Sequence, residues 1–359
     1  MTGAATTSNT AYRLVLGDPI ETVDYHTGGE PFRIVEQVPP ELAAPGHTVA
    51  ERRTVAMESD AVQHLRALLC SEPRGHADMY GGFLVPPDDA GAHLGVLFWH
   101  KDGFSTACGH GTIALGAWAV ESGRVPAPRD GETDVVVDVP SGRVTATVRT
   151  IAGLVDSVRF TNVASHVHAR GLEVATSRGP LTVDIAFGGA MYAVLPAAAV
   201  GLRVVPEDYT SLISIGREIR DGLNAAGAAE HPTDPRLSGI YGTILTEEIA
   251  EPTPGVRGRL LHQRNVTVFA DGEVDRSPCG SGTSARVALL ADTGELGDDD
   301  LLVHSSIVGS VFHARIAQRV TSHGLPAVIP EVTGTAYAVG TCSFTVDPRD
   351  DLVPGFVLR

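Results

Sequence analysis

No basic, apolar leader opens the sequence. Its first dozen residues, MTGAATTSNTAY, are small and polar, which fits a frayed tail better than a signal peptide. No apolar run reaches the roughly 18 residues of a helical membrane span, so no membrane partner is expected. Cysteine is scarce. Cys70, Cys108, Cys279 and Cys342 are the four thiols in 359 residues, which argues against a disulfide scaffold and for a reducing, cytoplasmic setting. Positive charge is scarce too: 27 Lys and Arg stand against 43 Asp and Glu, a formal net charge of −16. Phosphate-rich partners want a basic patch, so nucleic acid and anionic membrane surfaces are not expected. A small anion needs only local donors and stays compatible with this balance. Short-period repeats, charge blocks and low-complexity tracts are also missing, which excludes solenoids and linker-like chains.

What is present is glycine, 40 residues of it, among many short Val/Ile-rich runs. DVVVDVP (Asp134–Pro140), RVTATVRT (Arg143–Thr150) and DSVRFTNV (Asp156–Val163) alternate and are separated by turn residues, so they predict consecutive antiparallel strands. LTVDIAFGG with MYAVLP (Leu181–Pro196) and SVFHARIAQ (Ser310–Gln318) have the same character. Helical patterns are fewer: Val49–Cys70, Asp208–Ala226, and one run after each of two cysteines. Helices scattered among strands without strict alternation predict a mixed α+β fold rather than a doubly wound sheet. The length predicts two domains.

Two stretches repeat each other. STACGHGTIALGAWAVESG (Ser105–Gly123) and SPCGSGTSARVALLADTG (Ser277–Gly294) both contain Cys-Gly-x-Gly-Thr, then an apolar helical run, then a glycine fifteen residues after the cysteine. Gly123 and Gly294 suit the left-handed position that ends helices. Cys108 and Cys279 therefore stand at helix N-termini, where unpaired N–H groups and the helix dipole favour negative charge. Such a thiol is expected to ionise more readily, and the same N–H groups can hold a carboxylate. The flanking glycines are expected to let the backbone approach a ligand. Set face to face, the two loops would grip a small carboxylate with one sulfur on each side of its α-carbon. One thiolate would remove the α-proton and the opposite thiol would deliver another, inverting the centre.

Other readings fit less of the pattern. A buried cysteine is commonly a small core residue, but packing alone does not require Gly-x-Gly-Thr after each one. Cys70 and Cys342 lack that context. A zinc clip wants paired spacings, and Cys108 with His110 is only Cys-x-His. A phosphate loop would end in Gly-Lys-Ser/Thr, which both stretches lack. A cysteine hydrolase would leave the second loop unexplained.

DYHTGGEPFRIV (Asp24–Val35), EPRGHADMYGGFLVP (Glu72–Pro86), ACGHGTIALG (Ala107–Gly116) and VDRSPCGSGTSAR (Val274–Arg286) together resemble the proline racemase family. That family includes proline racemases, 4-hydroxyproline 2-epimerases and trans-3-hydroxy-L-proline dehydratases. The resemblance runs from about Asp18 to the C-terminus. It implies the fold of diaminopimelate epimerase: two pseudo-symmetric domains, each a mixed sheet wrapped round a central helix. Residues 14–155 with 335–359 would form the lobe with the first cysteine loop, and 156–334 the second. It implies catalysis without cofactor or metal, on a small-molecule substrate, with a homodimer possible. Cys108 and Cys279 would be the acid/base pair. Gly109, His110, Gly280 and Ser281 would hold the substrate carboxylate, and Asp275 the ring nitrogen. His110 could equally tune Cys108. HTGGEP (His26–Pro31) is explained by a tight turn and EPRGHADMYG by framing of the site, so both stay outside the catalytic set.

Within the family the signals diverge. The dehydratases usually carry threonine at the second cysteine, so Cys279 favours two-base inversion. Phe269 matches a position where proline racemases hold a phenylalanine against the ring. An apolar ring there disfavours a buried hydroxyl without a partner. The segments around both loops also look like the dehydratase branch, and dehydration needs only one base. A racemase or epimerase of proline or hydroxyproline is the favoured expectation and a trans-3-hydroxy-L-proline dehydratase its alternative. A non-catalytic amino-acid-binding protein ranks below both.

Overall fold

The computed structural model describes residues 18–358. The polar segment expected as a frayed tail, Met1–Tyr12, lies outside the described residues, as does the start of the first expected domain. Among the described residues the chain is mixed α+β, with few helices and many strands. Its helices are α1 (Pro40–Ala43), α2 (Val49–Glu58), α3 (Asp60–Cys70), α4 (Gly109–Glu121), α5 (Tyr209–Ala225) and α6 (Gly280–Asp292).

The alternating runs form strands as their patterning predicts. Gly131–Val139, Gly142–Ile151 and Leu154–Thr161 pair antiparallel in succession, and Gly179–Phe187 pairs antiparallel with Met191–Pro196. Parallel pairs occur as well, as between Met191–Pro196 and Ile240–Pro254 and between Arg259–Phe269 and Leu301–Ser305. One helical pattern differs from expectation. Val49–Cys70 is two helices, broken at Ser59, whose backbone is extended (φ −85°, ψ 117°). The Ser59 hydroxyl accepts the Val62 N–H at 3.3 Å. A serine that can cap a new helix competes with continuation of the old one.

Helices α4 and α6 are buried almost throughout. In α4 every residue from Gly109 to Ala119 is buried, and in α6 every residue from Gly280 to Ala291 except Arg286. A helix apolar on all sides must be surrounded, and each is, by its own strands. Helix α4 packs on Ile20–Thr27, Gly142–Ile151, Leu154–Thr161 and Ala336–Phe344. Helix α6 packs on Ser165–Thr176, Gly179–Phe187, Val311–Ser322 and Leu325–Gly334. The strand Ala336–Phe344 runs antiparallel beside Ile20–Thr27, from Thr27↔Ala336 to Ile20↔Phe344, which ties the end of the chain to its beginning. Gly123 and Gly294, at φ 74° and 75°, end the two helices in the left-handed conformation expected of them.

Candidate active site

The spacing of the glycines explains how the two cysteine loops meet. A Cβ placed on Gly109 would lie 2.5 Å from the Gly280 Cα, and one on Gly280 would lie 2.6 Å from the Gly109 Cα. The first turns of α4 and α6 therefore touch backbone to backbone. The second glycine of each loop makes room for sulfur: a Cβ on Gly111 would lie 2.9 Å from Cys108 Sγ, and one on Gly282 3.0 Å from Cys279 Sγ. The expectation that these glycines admit a ligand is thus refined. They admit the opposite helix end and the cysteine's own thiol.

Both cysteines are the N-cap residues of their helices, but their backbones differ. Cys108 is extended (φ −154°), and its Sγ accepts the Gly111 N–H at 3.1 Å. Cys279 is left-handed (φ 63°) and makes no cap bond. A left-handed non-glycine residue stores strain of about 1–2 kcal/mol, and such strain concentrates at functional sites. Around Cys108, the His110 ring approaches Sγ at 3.4 Å through Nδ1, while the same nitrogen lies 3.5 Å from Asp275 Oδ2. His110 thus stands between one thiol and the carboxylate expected to bind the ring nitrogen, so both roles considered for it are geometrically open. Around Cys279, the Tyr192 hydroxyl and Ser281 Oγ each lie 3.9 Å from Sγ and 2.7 Å from each other. Asp275 is held by Ser277, which donates its backbone N–H at 2.8 Å and its hydroxyl at 2.7 Å to Oδ1.

Phe269, at the end of the strand Arg259–Phe269, is stacked on Tyr241 with ring centroids 5.5 Å apart, and meets Tyr80 and His100 edge-on at 5.9 and 5.8 Å. Tyr80 in turn packs on His110 at 4.8 Å. All the predicted site residues accordingly converge. Tyr80, Tyr192 and Tyr241 were missed. Tyr80 sits inside a quoted motif, but Tyr192 and Tyr241 lie in ordinary strands whose patterning carries no chemical signal.

The thiols depart from expectation. Burial pushes both well above the usual thiol range, and the Asp275 charge adds to it; the Gly111 N–H opposes the rise for Cys108 and the Gly282 N–H for Cys279. Desolvation is the largest cause, and it favours the neutral form of both thiols. Iodoacetamide at neutral pH is expected to label the half-buried Cys342 well before Cys108 or Cys279, and labelling of the pair should climb only in strongly alkaline solution. Peptide mass spectrometry reads this out. Rapid neutral-pH labelling of Cys108 would contradict it.

Elsewhere, His100, Asp102 and Glu273 bring metal-capable atoms within 4.8 Å of one another. An ammonium already occupies that cluster: Lys101 Nζ lies 2.7 Å from Asp102 and 3.8 Å from Glu273.

The two motifs kept out of the catalytic set also reach the site. The Thr27 hydroxyl donates to the His110 carbonyl at 2.9 Å, Glu30 accepts the Arg276 N–H at 2.8 Å, and Asp78 pairs with Arg276 at 2.6 Å.

Comparison with known proteins agrees with this geometry. The family model for proline racemase matches residues 22–357. The chain belongs to the proline racemase family. It is 44% identical to a 3-hydroxyproline 2-epimerase of Burkholderia multivorans and 44% identical to a trans-3-hydroxy-L-proline dehydratase of Azospirillum brasilense. Each match spans 95% of this chain and 98% of the relative. Among solved structures it resembles a hydroxyproline epimerase from Agrobacterium vitis with bound trans-4-hydroxy-L-proline. That match has a TM-score of 0.87 and 30% identity, covering 95% of this chain and 96% of the other. The fold is thus that of proline racemase family enzymes, and both epimerases and dehydratases stand among its similar relatives.

Proposed function

We propose that this protein is a two-thiol epimerase that inverts the α-carbon of a proline-like imino acid, with 3-hydroxyproline the first candidate substrate. The observation that carries the reading is the contact of Gly109 with Gly280, which sets two thiol-bearing helix N-termini against each other. Similarity to the 3-hydroxyproline relatives at 44% identity supports the choice of ring.

In this reading the free N–H groups at the starts of α4 and α6, with Gly109, His110, Gly280 and Ser281, hold the substrate carboxylate. They also stabilise the charge that develops on it when the α-proton leaves. Asp275 receives the ring ammonium, and Phe269 packs on the ring. The arriving ammonium favours ionisation of one thiol, whose proton leaves to solvent; that cysteine, as thiolate, takes the α-proton, and the other thiol protonates the opposite face. The scheme draws on side chains and backbone donors alone. The architecture we infer is diaminopimelate epimerase-like. Residues 14–155 with 335–359 surround α4, residues 156–334 surround α6, and the site lies between them.

A second reading, a trans-3-hydroxy-L-proline dehydratase, is favoured by the relatives of that name. It would use one thiol to remove the α-proton while the C3 hydroxyl departs, leaving an enamine that tautomerises to a cyclic imine. Cys279, a second proton carrier on the other face, favours inversion.

The test is an assay of L-proline, trans-4-hydroxy-L-proline and trans-3-hydroxy-L-proline that follows optical rotation and imine capture together. Change of rotation without imine from the 3-hydroxylated ring is the expected result. Imine without an epimer would select the dehydratase. No change in any of the three would sink both readings.

A further inference from the structure

Glu30 and Asp78 belong to the two motifs that the proposed chemistry leaves unused, and both reach the loop that carries Asp275. Glu30 is fully buried. Its Oε2 accepts the Arg276 N–H at 2.8 Å and lies 3.6 Å from Arg276 Nη1, while its Oε1 has no hydrogen-bond partner among the described residues. Asp78 Oδ2 binds Arg276 Nη2 at 2.6 Å. Asp275 is already committed on one side, because Oδ1 accepts two bonds from Ser277. Its Oδ2 faces His110 Nδ1 at 3.5 Å. Two carboxyl groups thus meet one guanidinium, and the Asp275 carboxyl stands on the adjoining residue, close enough for its charge to act on Glu30.

That arrangement has an excess of acceptors and a deficit of positive charge. A buried carboxylate oxygen without a donor is unfavourable until a donor reaches it. The secondary ammonium of a cyclic imino acid carries one positive charge and two N–H donors. Asp275 Oδ2 can take one of them, and the second N–H needs another acceptor.

We propose that Glu30 is that acceptor, so that each N–H of the substrate's secondary ammonium meets its own carboxylate, Asp275 on one side and Glu30 on the other. The inference rests on the reading of this site as one for proline-like imino acids. It makes Glu30 a binding residue that selects for an ammonium with at least two N–H groups. A ring nitrogen that is neutral, or that carries one N–H, leaves Glu30 unpaired.

Glu30 faces Asp275, Arg276 and Asp78, with His110 beyond Asp275. Burial first, then the Asp275 charge, push its carboxyl well above the usual range, and Arg276 opposes them. These surroundings favour the protonated form of Glu30 until a cation arrives. An ammonium arriving between Glu30 and Asp275 favours the ionised form, so the proton leaves to solvent. At Glu30 one positive charge enters and one departs. The affinity for the imino acid accordingly rises with pH through the free-protein pKa of Glu30.

Titration calorimetry in two buffers of different ionisation enthalpy tests this from mildly acidic to neutral pH. One ligand is whichever imino acid the wild-type protein turns over. The other is pyrrole-2-carboxylate, whose ring nitrogen is neutral and carries a single N–H. The wild type is expected to release protons on binding the imino acid and none on binding pyrrole-2-carboxylate. Glu30→Gln keeps an oxygen for the Arg276 N–H. It should weaken imino-acid binding about ten- to a hundredfold, lower the proton release, and leave pyrrole-2-carboxylate binding nearly unchanged. Equal losses for both ligands would make Glu30 a scaffold for the Arg276 loop and overturn the proposal. Unchanged imino-acid affinity in the variant would also overturn it. So would absence of proton release in the wild type, a result that needs no variant to fold. A wild type that neither binds nor turns over any imino acid would remove the substrate reading as well. Failure in the Glu30 measurements alone leaves that reading intact.

Discussion

Cys108→Ala and Cys279→Ala should each lower the rate of inversion by about a thousandfold or more, within the upper range for loss of a positioned acid or base. The two variants should not be equivalent in every respect. Each keeps one thiol, and that thiol can still exchange the α-proton on its own face. Each variant should therefore wash solvent deuterium into one α-epimer only, and that epimer identifies which face each sulfur serves. NMR of the recovered substrate measures both the exchange and the inversion. Full inversion in either variant would exclude a thiol on each face. Dehydration surviving in Cys279→Ala would shift the balance to the single-base reading.

Gly109→Ala should be nearly as damaging although it removes no reacting group. Its new Cβ would stand 2.5 Å from the Gly280 Cα and 2.9 Å from the Ser281 backbone nitrogen. Backbone on both sides cannot rotate away, so the helix ends must separate by about 1 Å to reach ordinary contact. A misplacement of about 1 Å is enough to lower a rate about a hundredfold. The accompanying loss of stability should be smaller, about 1–3 kcal/mol, as for other overpacked cores. Gly123→Ala is the control, since a Cβ there meets nothing within 4 Å and only the backbone at φ 74° is strained. It should lose some stability and keep its turnover. Steady-state kinetics with thermal melts compare the pair. A Gly109→Ala protein with normal turnover would mean that contact between the helix ends does not matter to the site.

The repeated Cys-Gly-x-Gly-Thr pattern made most of the site legible, because chemistry and packing demand the same small residues there. The cysteines need N-cap positions, and the glycines must leave space for sulfur and for the facing helix. The strands with two-residue alternation were legible for the usual reason, that one face is buried. Three things were not. Ser59 breaks a helix through a local cap, and a serine inside a helical pattern carries no warning of it. The state of the thiols depends on burial from both sides, which no local spacing encodes. Glu30 and Asp78 lie in segments that a turn or a loop explains well enough. Only the fold brings Glu30, near the start of the chain, against the backbone of Arg276.

The central claim is one proton carrier for each face of the α-carbon. Its most direct test is the early time course of the reaction in deuterium oxide, starting from one pure epimer of the imino acid that is turned over. Two thiols predict that the first product molecules carry deuterium at the α-carbon while the remaining substrate stays unlabelled. Product that retains protium, or substrate that gains label as fast as product, would contradict it.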